Sequence, residues 1–319
     1  MTTRQKLRAA VVGVGYLGNF HAQKYKNNPH CELVGVCDAS QEQAQKIASA
    51  LGTTAYTNPK DLIGKVDLVT IATSTRFHYE LAAMFVEAGI PVNVEKPMTA
   101  TLEQAEKLFE ASENKKSFLT VGHIERFNPS INEVVKQMKG EASHFELTRW
   151  APFNLRGSDV SVVFDLMIHD IDLMFWLCDN AKVTNHSVHG DVIVSKEPDS
   201  VTGHFDLALG NGTKKSVYMS INRSSGRGLR QLKAYSRVKT VSANTGTHDV
   251  EMYEFSSAAE KVEDKIKTTN WTVAKVDALQ EETNHFVDCV LNSKKPLITA
   301  EDGLRAMIWA DKIDKQIRK

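Results

Sequence analysis

The sequence lacks any excess of charge of one sign. Its 319 residues include 39 Lys and Arg and 39 Asp and Glu, so the formal net charge at pH 7 is zero. A protein that binds nucleic acid through its charge needs a basic surface, which this composition does not indicate. We therefore expect no nucleic-acid partner. Zero net charge with 42% hydrophobic residues also favours self-association.

Cysteine is scarce, and long apolar runs are absent. The four cysteines form no Cys-x-x-Cys pair, which is typical of reduced thiols in the cytoplasm rather than of a disulfide framework. No apolar stretch approaches the roughly 20 residues that span a bilayer. The basic start, MTTRQKLRAAVVGVGYLG, reads as a strand and turn rather than a signal peptide, because glycines interrupt its apolar run. We expect a soluble, cytoplasmic protein without a membrane partner.

The length predicts two domains, because 319 residues exceed what one hydrophobic core usually organises. Residues 1–123 alternate apolar strands with helices, as in a doubly wound parallel α/β sheet. Residues 124–319 contain stretches of alternating polarity, such as HFELTRW and KKSVYMSIN, which predict a large, mostly antiparallel sheet. The predicted architecture is a Rossmann domain followed by an α+β domain with an open-faced sheet. Packing of the C-terminal helix on the first domain is an alternative.

A glycine pattern after the first predicted strand indicates a nucleotide site. Gly13, Gly15 and Gly18 form a Gly-x-Gly-x-x-Gly pattern, with Tyr16 and Leu17 before the last glycine. The pattern follows a buried strand and opens a helix, which is the context of a dinucleotide fingerprint. We expect these five residues to form the turn and helix N-terminus that bind a pyrophosphate. The alternative is a glycine-rich turn without a ligand.

Asp38 predicts which dinucleotide is bound. It ends the second predicted strand, twenty residues after Gly18. A carboxylate at this place accepts hydrogen bonds from ribose hydroxyls and repels a 2′-phosphate. The following Ala39, Ser40 and Gln41 offer no positive charge, so the sequence favours NAD over NADP. The alternative is an aspartate that only caps the next helix.

Glu95, Lys96 and Pro97 end another predicted core strand. Ligands of open parallel sheets bind beyond the carboxyl ends of the strands, so we expect Lys96 to face the cofactor crevice. A surface salt bridge between Glu95 and Lys96 is the alternative.

The segment VVFDLMIHDIDLMFWL carries ionisable residues among apolar ones. Asp165, His169 and Asp172 stand at i, i+4 and i+7, which predicts one shared helical face. Alcohol oxidation would explain them, because a base such as His169 must take the hydroxyl proton while hydride leaves carbon. Asp165 would orient the imidazole or bind a second hydroxyl, and Lys96 would stabilise the alkoxide. A satisfied core network and a metal site are alternatives, although no third metal ligand is identifiable and we expect no metal.

Together these motifs resemble the family of glucose–fructose oxidoreductase, inositol dehydrogenase and MocA, over nearly the whole chain. The resemblance also includes ATSTRFH, GHIERFNP and the near-terminal EDGLRAMIWA. It implies that Lys96, Asp165 and His169 form the catalytic set, and that Glu95 and Lys96 lie near the nicotinamide. It further implies a homodimer or homotetramer formed through the C-terminal sheet.

The same resemblance implies that Thr73 and His78 bind the cofactor. The usual Thr-Pro-Asn-x-x-His of this family reads Thr-Ser-Thr-Arg-Phe-His here. The cofactor wall is therefore altered where Pro and Asn would stand, while its first and last residues are retained.

Arginines in the second half bear on the substrate. They are Arg149, Arg156, Arg223, Arg227 and Arg230. The segment NRSSGRGLRQ fits a loop that binds a diphosphate, and a solvated basic hairpin is an equal alternative. GHIERFNPS and FDLMIHDID further resemble enzymes that oxidise C3 of UDP-N-acetylglucosamine before an amination in lipid A assembly. We expect Arg126 and Arg156 to contact such a substrate beside the catalytic set.

Other functions stay open. A free-sugar or inositol dehydrogenase would use the same catalytic set without a diphosphate site. A regulator that senses NAD without catalysis would have little reason to keep Lys96, Asp165 and His169. A transferase or epimerase that retains NAD through turnover is a further alternative.

Overall fold

The computed structural model describes residues 6–115, 117–138, 140–155, 157–258, 261 and 264–318. The chain divides into two compact units, and each contains residues from both halves of the sequence. The first unit comprises the chain up to Ile124 together with Leu279–Ile308, and the second unit comprises Glu125–Ala278 and the chain from Trp309 onward. The sequence predicts one boundary, after residue 123, and the structure adds a late segment to the first unit.

Six short strands form the sheet of the first unit. They are β1 (Leu7–Val12), β2 (Cys31–Cys37), β3 (Thr54–Tyr56), β4 (Leu68–Ile71), β5 (Val92–Val94) and β6 (Leu119–Val121). All pairs are parallel, and the order is β3-β2-β1-β4-β5-β6. The order reverses between β1 and β4, and doubly wound sheets bind their ligands at such a reversal. The predicted Rossmann sheet is confirmed.

Eight α-helices occur in the described residues. They are α1 (Tyr16–Asn27), α2 (Gln41–Leu51), α3 (His78–Glu87), α4 (Leu102–Lys115), α5 (Pro129–Met138), α6 (Ile168–Leu177), α7 (Ala278–Asn292) and α8 (Ala300–Ile317). The Ser40 side chain accepts a hydrogen bond from Gln43 N–H, and Gly52 ends α2 in a left-handed conformation with φ of 63°. Ser40 therefore caps the N-terminus of α2, and Gly52 ends the helix. None of the helices in the described ranges is long and apolar enough to cross a membrane.

The core of the first unit explains why the late segment belongs to it. Phe286 and Val287 of α7 lie in the same buried cluster as Val11 of β1 and Tyr25 of α1. Burial of a phenylalanine side chain contributes about 1.5–3 kcal/mol of stability. The helix α7 therefore completes the apolar cover of the parallel sheet.

The second unit is built on a larger sheet. Its strands are β7 (His144–Trp150), β8 (Lys182–Asp191), β9 (Ser200–Ala208), β10 (Lys214–Asn222), β11 (Leu229–Tyr235), β12 (Lys239–Asn244), β13 (Asp249–Phe255) and β14 (Ile266–Thr272). The order is β14-β13-β12-β11-β7-β10-β9-β8, and only the pair of β7 and β10 is parallel within this described sheet. Buried and half-buried residues alternate along β7, as in a sheet with one covered face. The mostly antiparallel sheet is confirmed.

A buried ionic network joins this sheet to α6. Arg149 of β7 donates from Nε to Asp170 Oδ2 at 2.6 Å and from an Nη atom to Glu125 Oε1 at 2.8 Å. All three side chains are buried. Burial raises the pKa of Asp170 although Arg149 opposes that rise. For Glu125, burial is outweighed by the charge and hydrogen bond of Arg149, and its pKa is lowered.

Replacement of Arg149 by leucine is expected to destabilise the second unit strongly. The change leaves Asp170 and Glu125 buried without their main partner, and breaking a buried ion pair costs about 3–5 kcal/mol. All four tryptophans, Trp150, Trp176, Trp271 and Trp309, belong to the second unit. Tryptophan fluorescence during urea unfolding therefore measures this unit alone.

The matched control is Arg227→Leu, because Arg227 is an exposed arginine of the same unit. Surface substitutions usually change stability by less than about 0.5 kcal/mol. Equal urea midpoints for the two variants would contradict the structural role of Arg149.

Candidate active site

The glycine turn of the first unit brings α1 very close to the end of β1. Gly13 has a φ of +83°, which a side chain rarely permits. A Cβ atom added at Gly18 would lie 1.7 Å from the carbonyl oxygen of Gly13, whereas one added at Gly15 would meet nothing within 4 Å. The turn is therefore tightly packed at Gly13 and Gly18, whereas the space beside Gly15, called the cradle below, is open.

The N-terminus of α1 suits an anion. Gly15 is its N-cap and offers no side-chain cap, and the first turn of the helix contains no acidic residue. The first N–H groups of a helix carry a partial positive charge that favours phosphate. Tyr16 and Leu17, which begin the helix, are 68% and 37% exposed. These residues fit the pyrophosphate of a dinucleotide.

Asp38 links the glycine turn to α2. Its Oδ2 accepts a hydrogen bond from Val14 N–H at 3.0 Å, and its Oδ1 accepts one from Ser40 N–H at 2.9 Å. The N-cap of α2 is Ser40, so Asp38 is not the helix cap that the sequence left as an alternative, and its carboxylate instead joins the glycine turn to the start of α2. Each carboxylate oxygen can accept a second hydrogen bond. Asp38, which is half-buried, therefore keeps acceptor capacity for ribose hydroxyls.

His78 joins two of the predicted cofactor segments. Its Nδ1 lies 2.9 Å from Pro97 O, and its Nε2 lies 3.1 Å from Thr73 O. Burial lowers the pKa of His78, although the two carbonyls oppose that shift. A neutral imidazole donates only one hydrogen bond, so one of the two carbonyls receives it. His78 is 1% exposed, and this geometry makes it a link between loops, while its contact with the cofactor stays a prediction.

Glu95 lies at the carboxyl end of β5, where the sequence predicts chemistry. Its Oε1 lies 2.8 Å from Nε2 of His21 on α1, and its Oε2 accepts a hydrogen bond from Lys96 N–H at 3.2 Å. Glu95 thus pairs with the buried His21 of α1, which the alternative of a simple surface salt bridge with Lys96 did not include. Sequence reasoning missed His21, although it shares the i, i+3, i+4, i+7 stripe of buried residues on α1.

The second unit places Asp165 in a π-helical turn, Val163–Met167, directly before α6. The sequence predicts one continuous α-helix, so this part of the prediction is wrong. A π turn contains more residues than an α turn, and the i, i+4, i+7 alignment does not hold across it. Within α6, Asp172 is buried against Arg126, with Oδ1 and an Nη atom 2.6 Å apart, whereas Asp165 and His169 are half-buried. The three residues therefore do not share one environment.

Arg223 lies beside Asp165. The closest side-chain atoms, an Nη of Arg223 and Oδ2 of Asp165, are 3.9 Å apart. Arg223 is held in place by Asp199, whose Oδ1 accepts from Nε at 2.8 Å, and by the carbonyls of Gly157 and Val160 at 2.7 and 2.8 Å. Burial opposes ionisation of Asp199, but hydrogen bonds from Arg223 and three backbone N–H groups hold its pKa well below its usual value.

These contacts sort the arginines that the sequence singled out. Arg223 is buried in an ion pair with Asp199, so its suggested part in the diphosphate loop is corrected, and Arg149 is likewise buried in ion pairs. Arg126 is likewise buried against Asp172, and its predicted substrate contact stays a prediction. Arg227 and Arg230 are exposed. Arg156 lies outside the described residues.

Known proteins resemble the chain over its whole length. Residues 7–123 match the family model of Gfo/Idh/MocA, an oxidoreductase family with an NAD-binding Rossmann fold. The UDP-N-acetylglucosamine 3-dehydrogenase of Acidithiobacillus ferrooxidans is 30% identical over 304 residues, which cover 95% of each chain. A solved structure of that enzyme has a TM-score of 0.89 with 98% of both chains covered and 27% identity.

A second relative has another named substrate. The scyllo-inositol 2-dehydrogenase (NAD(+)) of Bacillus subtilis is 26% identical over 315 residues, which cover 93% of this chain and 90% of the relative. The fold, the fingerprint and these similarities agree with the family that the sequence motifs predict. The chain therefore belongs to the Gfo/Idh/MocA family of NAD-binding oxidoreductases.

Proposed function

We propose that the chain is an NAD-dependent sugar dehydrogenase that oxidises a secondary hydroxyl group to a ketone. The observation that carries this proposal is the similarity to a UDP-N-acetylglucosamine 3-dehydrogenase, with 30% identity over 304 residues. The catalytic set that the motifs predict, Lys96, Asp165 and His169, supports it. The proposed substrate is UDP-N-acetylglucosamine, and the reacting hydroxyl is that at C3.

NAD supplies the hydride acceptor of the reaction. Gly13, Gly15 and the first N–H groups of α1 would hold its pyrophosphate, because the turn is open at Gly15 and the helix end lacks acidic residues. Asp38 would accept hydrogen bonds from the adenosine ribose. The half-exposed Thr73, whose Cγ2 atom lies 2.5 Å from the position of a Cβ at Gly13, would border the same cradle.

The protein's part in the chemistry is to accept a proton. As the C3–H bond gives its hydride to NAD, the O–H bond at C3 breaks, its proton passes to the protein and a C=O bond forms. Lys96 as a neutral amine or His169 as a neutral imidazole would accept the proton. If His169 is the base, the Lys96 ammonium would stabilise the developing alkoxide. Asp165 would orient the imidazole or bind a neighbouring hydroxyl group.

The diphosphate of a nucleotide sugar would need exposed cations. Arg227 and Arg230 are exposed in the segment that connects β10 to β11. Guanidinium groups bind phosphate oxygens through paired hydrogen bonds. We therefore assign the diphosphate to Arg227 and Arg230, and we retain Arg126 and Arg156 as proposed substrate contacts. The 3-keto product would serve an aminotransferase, as in lipid A assembly.

A test of this function measures NADH absorbance with UDP-N-acetylglucosamine, other nucleotide sugars, free sugars and inositol, in the presence of a trap for ketones. We expect NADH only with UDP-N-acetylglucosamine. Lys96→Ala and His169→Ala should each lower kcat/KM by about 100- to 10,000-fold, because each removes a group that acts on the hydroxyl proton.

The matched controls are Lys60→Ala and His189→Ala, which replace exposed residues of the same types. Activity with inositol or a free sugar would discard the nucleotide-sugar substrate and keep the catalytic set. Unchanged kinetics of Lys96→Ala and His169→Ala would contradict the assigned chemistry.

Cofactor choice gives a second test. The double substitution Asp38→Ser with Ala39→Arg removes the carboxylate that repels a 2′-phosphate and adds a guanidinium that can bind it. We expect the ratio of the Kd for NAD to the Kd for NADP, measured by titration calorimetry, to rise by about 10- to 100-fold. Asp61→Ser, at an exposed carboxylate of the same unit, should leave the ratio unchanged. An unchanged ratio in the double variant would show that Asp38 has no part in the choice of cofactor.

We also propose that the chain forms a homodimer or homotetramer through its eight-stranded sheet. The residues that alternate with the buried ones on β9 and β10 are half-buried or exposed, and Tyr218 is opposite His204 on this pair. Light scattering after gel filtration should give two or four times the chain mass of 35.5 kDa. Tyr218→Glu should shift the species towards the monomer, since a charge would be buried at the interface. A monomeric wild-type protein would contradict this part of the proposal.

A further inference from the structure

One carboxylate ties α1 to the backbone of Lys96. The His21 side chain on α1 is 1% exposed, and its Nε2 lies 2.8 Å from Oε1 of Glu95. The other oxygen, Oε2, accepts a hydrogen bond from Lys96 N–H at 3.2 Å. Gly122 leaves room for this arrangement, because a Cβ there would lie 3.2 Å from the same Oε2. Any movement of Glu95 therefore moves the backbone of Glu95, Lys96 and Pro97, the segment called the Lys96 turn below.

A second buried carboxyl group, that of Glu282 on α7, acts electrostatically on this pair. Glu282 is 4% exposed, and within the described residues neither of its oxygens has a hydrogen-bond partner in ordinary geometry. Asn93 Oδ1 on β5, also buried, lacks a partner among the same residues. The Asn93 side chain interacts with Glu282 and opposes the rise of its pKa. A protonated Glu282 carboxyl group has an O–H that can donate a hydrogen bond to Asn93 Oδ1. A glutamate in such a place costs stability, which calls for a reason.

The protonation states follow from this burial. Burial raises the pKa of Glu282 to about 8, with His21 opposing the rise and Glu95 adding to it. Burial lowers the pKa of His21, but the hydrogen bond and charge of Glu95 outweigh burial and the result is a raised value. For Glu95, burial is outweighed by His21 and Lys96, and its pKa is lowered. The raised pKa of His21 and the lowered pKa of Glu95 favour an ion pair between them, and a pKa of about 8 favours the uncharged form of Glu282 at neutral pH.

The charged and titratable groups that act on Glu282, His21 or Glu95 lie on α1 and just after β5. They are His21, Lys24 and Tyr25 on α1 and Glu95 and Lys96 after β5. Lys24 acts on His21, and Lys96 acts on Glu95. All of these residues belong to the first unit.

We propose that His21 and Glu282 are positioning residues for Lys96: His21 pairs with the Glu95 carboxylate, and the buried Glu282 adds no second negative charge beside that pair. The proposal rests on the proposed catalytic role of Lys96. Through Glu95, His21 fixes the backbone of the Lys96 turn. While Glu282 is uncharged, Glu95 is the one negative group of this cluster, and the positive charge of His21 balances it. A second negative charge on Glu282 would compete for the positive charges of the cluster and strengthen the hold of Lys96 on its proton.

The first experiment needs no substrate. Acetic anhydride acylates uncharged amines, so mass spectrometry of the acetylated protein measures the reactive fraction of Lys96 against the exposed Lys60. Wild type and Glu282→Gln should react equally near pH 7, where Glu282 is uncharged, and differently near pH 9, above its pKa of about 8. At that higher pH we expect Lys96 to react about threefold faster in Glu282→Gln, the effect of about half a pKa unit on a mostly protonated amine.

The control is Glu281→Gln, which replaces the exposed neighbour on the same helix and should match wild type at both pH values. Equal reactivity of Lys96 in wild type and Glu282→Gln at both pH values would overturn the proposal. Full activity of Lys96→Ala would overturn the proposed function instead, and the acylation result would still decide whether the cluster acts on Lys96.

The melting temperature tests the state of Glu282 separately. Its pKa in the folded protein, about 8, exceeds the usual 4.5, so the folded state binds more protons and loses stability as pH rises between these values. The Tm of Glu282→Gln minus that of wild type should therefore increase over this range and become constant above it. A difference that does not change with pH would contradict a buried, uncharged Glu282.

His21→Gln supplies the kinetic readout. Glutamine keeps a hydrogen-bond donor for Glu95 but removes the positive charge, so a merely structural role predicts nearly normal kinetics. The positioning role predicts at least a tenfold fall in kcat, an unchanged KM and slower acylation of Lys96 near pH 7. Unchanged kcat together with unchanged acylation would count against His21. If this variant does not fold, Glu282→Gln carries the test.

Discussion

The first unit depends on the close approach of α1 to the turn that follows β1. At Gly18 the helix is so near the carbonyl of Gly13 that a single added carbon would lie 1.7 Å from its oxygen. This approach seats α1 on the sheet, where the Tyr25 hydroxyl lies 2.7 Å from the Thr70 hydroxyl. The same packing leaves the helix N-terminus at Gly15 open to a ligand and places His21 beside Glu95. Cofactor binding and the Lys96 turn thus share one structural support.

The second unit differs from the first because charged side chains are buried between its sheet and α6. Arg126, Arg149 and Arg223 are each buried and paired with an aspartate. These pairs orient α6 and the segment around Asp165, which leaves Asp165 and His169 as the half-buried members of the motif. A buried ion pair contributes little net stability, but the loss of one partner is costly. The arrangement therefore fixes geometry more than it adds stability.

The sequence predicts the parallel sheet well, because strands buried on both faces need continuous apolar runs, whereas the short edge strand β3 and the strands β12 to β14 were missed. Of these, β14 consists mostly of exposed polar residues and shows little alternation, whereas Asp249–Met252 of β13 alternates polar and apolar residues and was a usable signal. The π turn at Asp165 has no signal in residue spacing. Glu282 was missed because glutamate is usually exposed on helices, yet it shares the stripe of Phe286 and Cys289 at i, i+4 and i+7, which was a usable signal.

In the proposed reaction, hydride passes from C3 of the sugar to NAD while the protein takes only a proton. Incubation with UDP-N-acetylglucosamine that carries deuterium at C3, followed by mass spectrometry of the nicotinamide, tests this transfer. We expect the reduced nicotinamide to gain the deuterium and the sugar to lose it together with the hydroxyl hydrogen. Release of the deuterium to water with an unlabelled nicotinamide would rule out hydride transfer, because the C3 hydrogen would then leave as a proton.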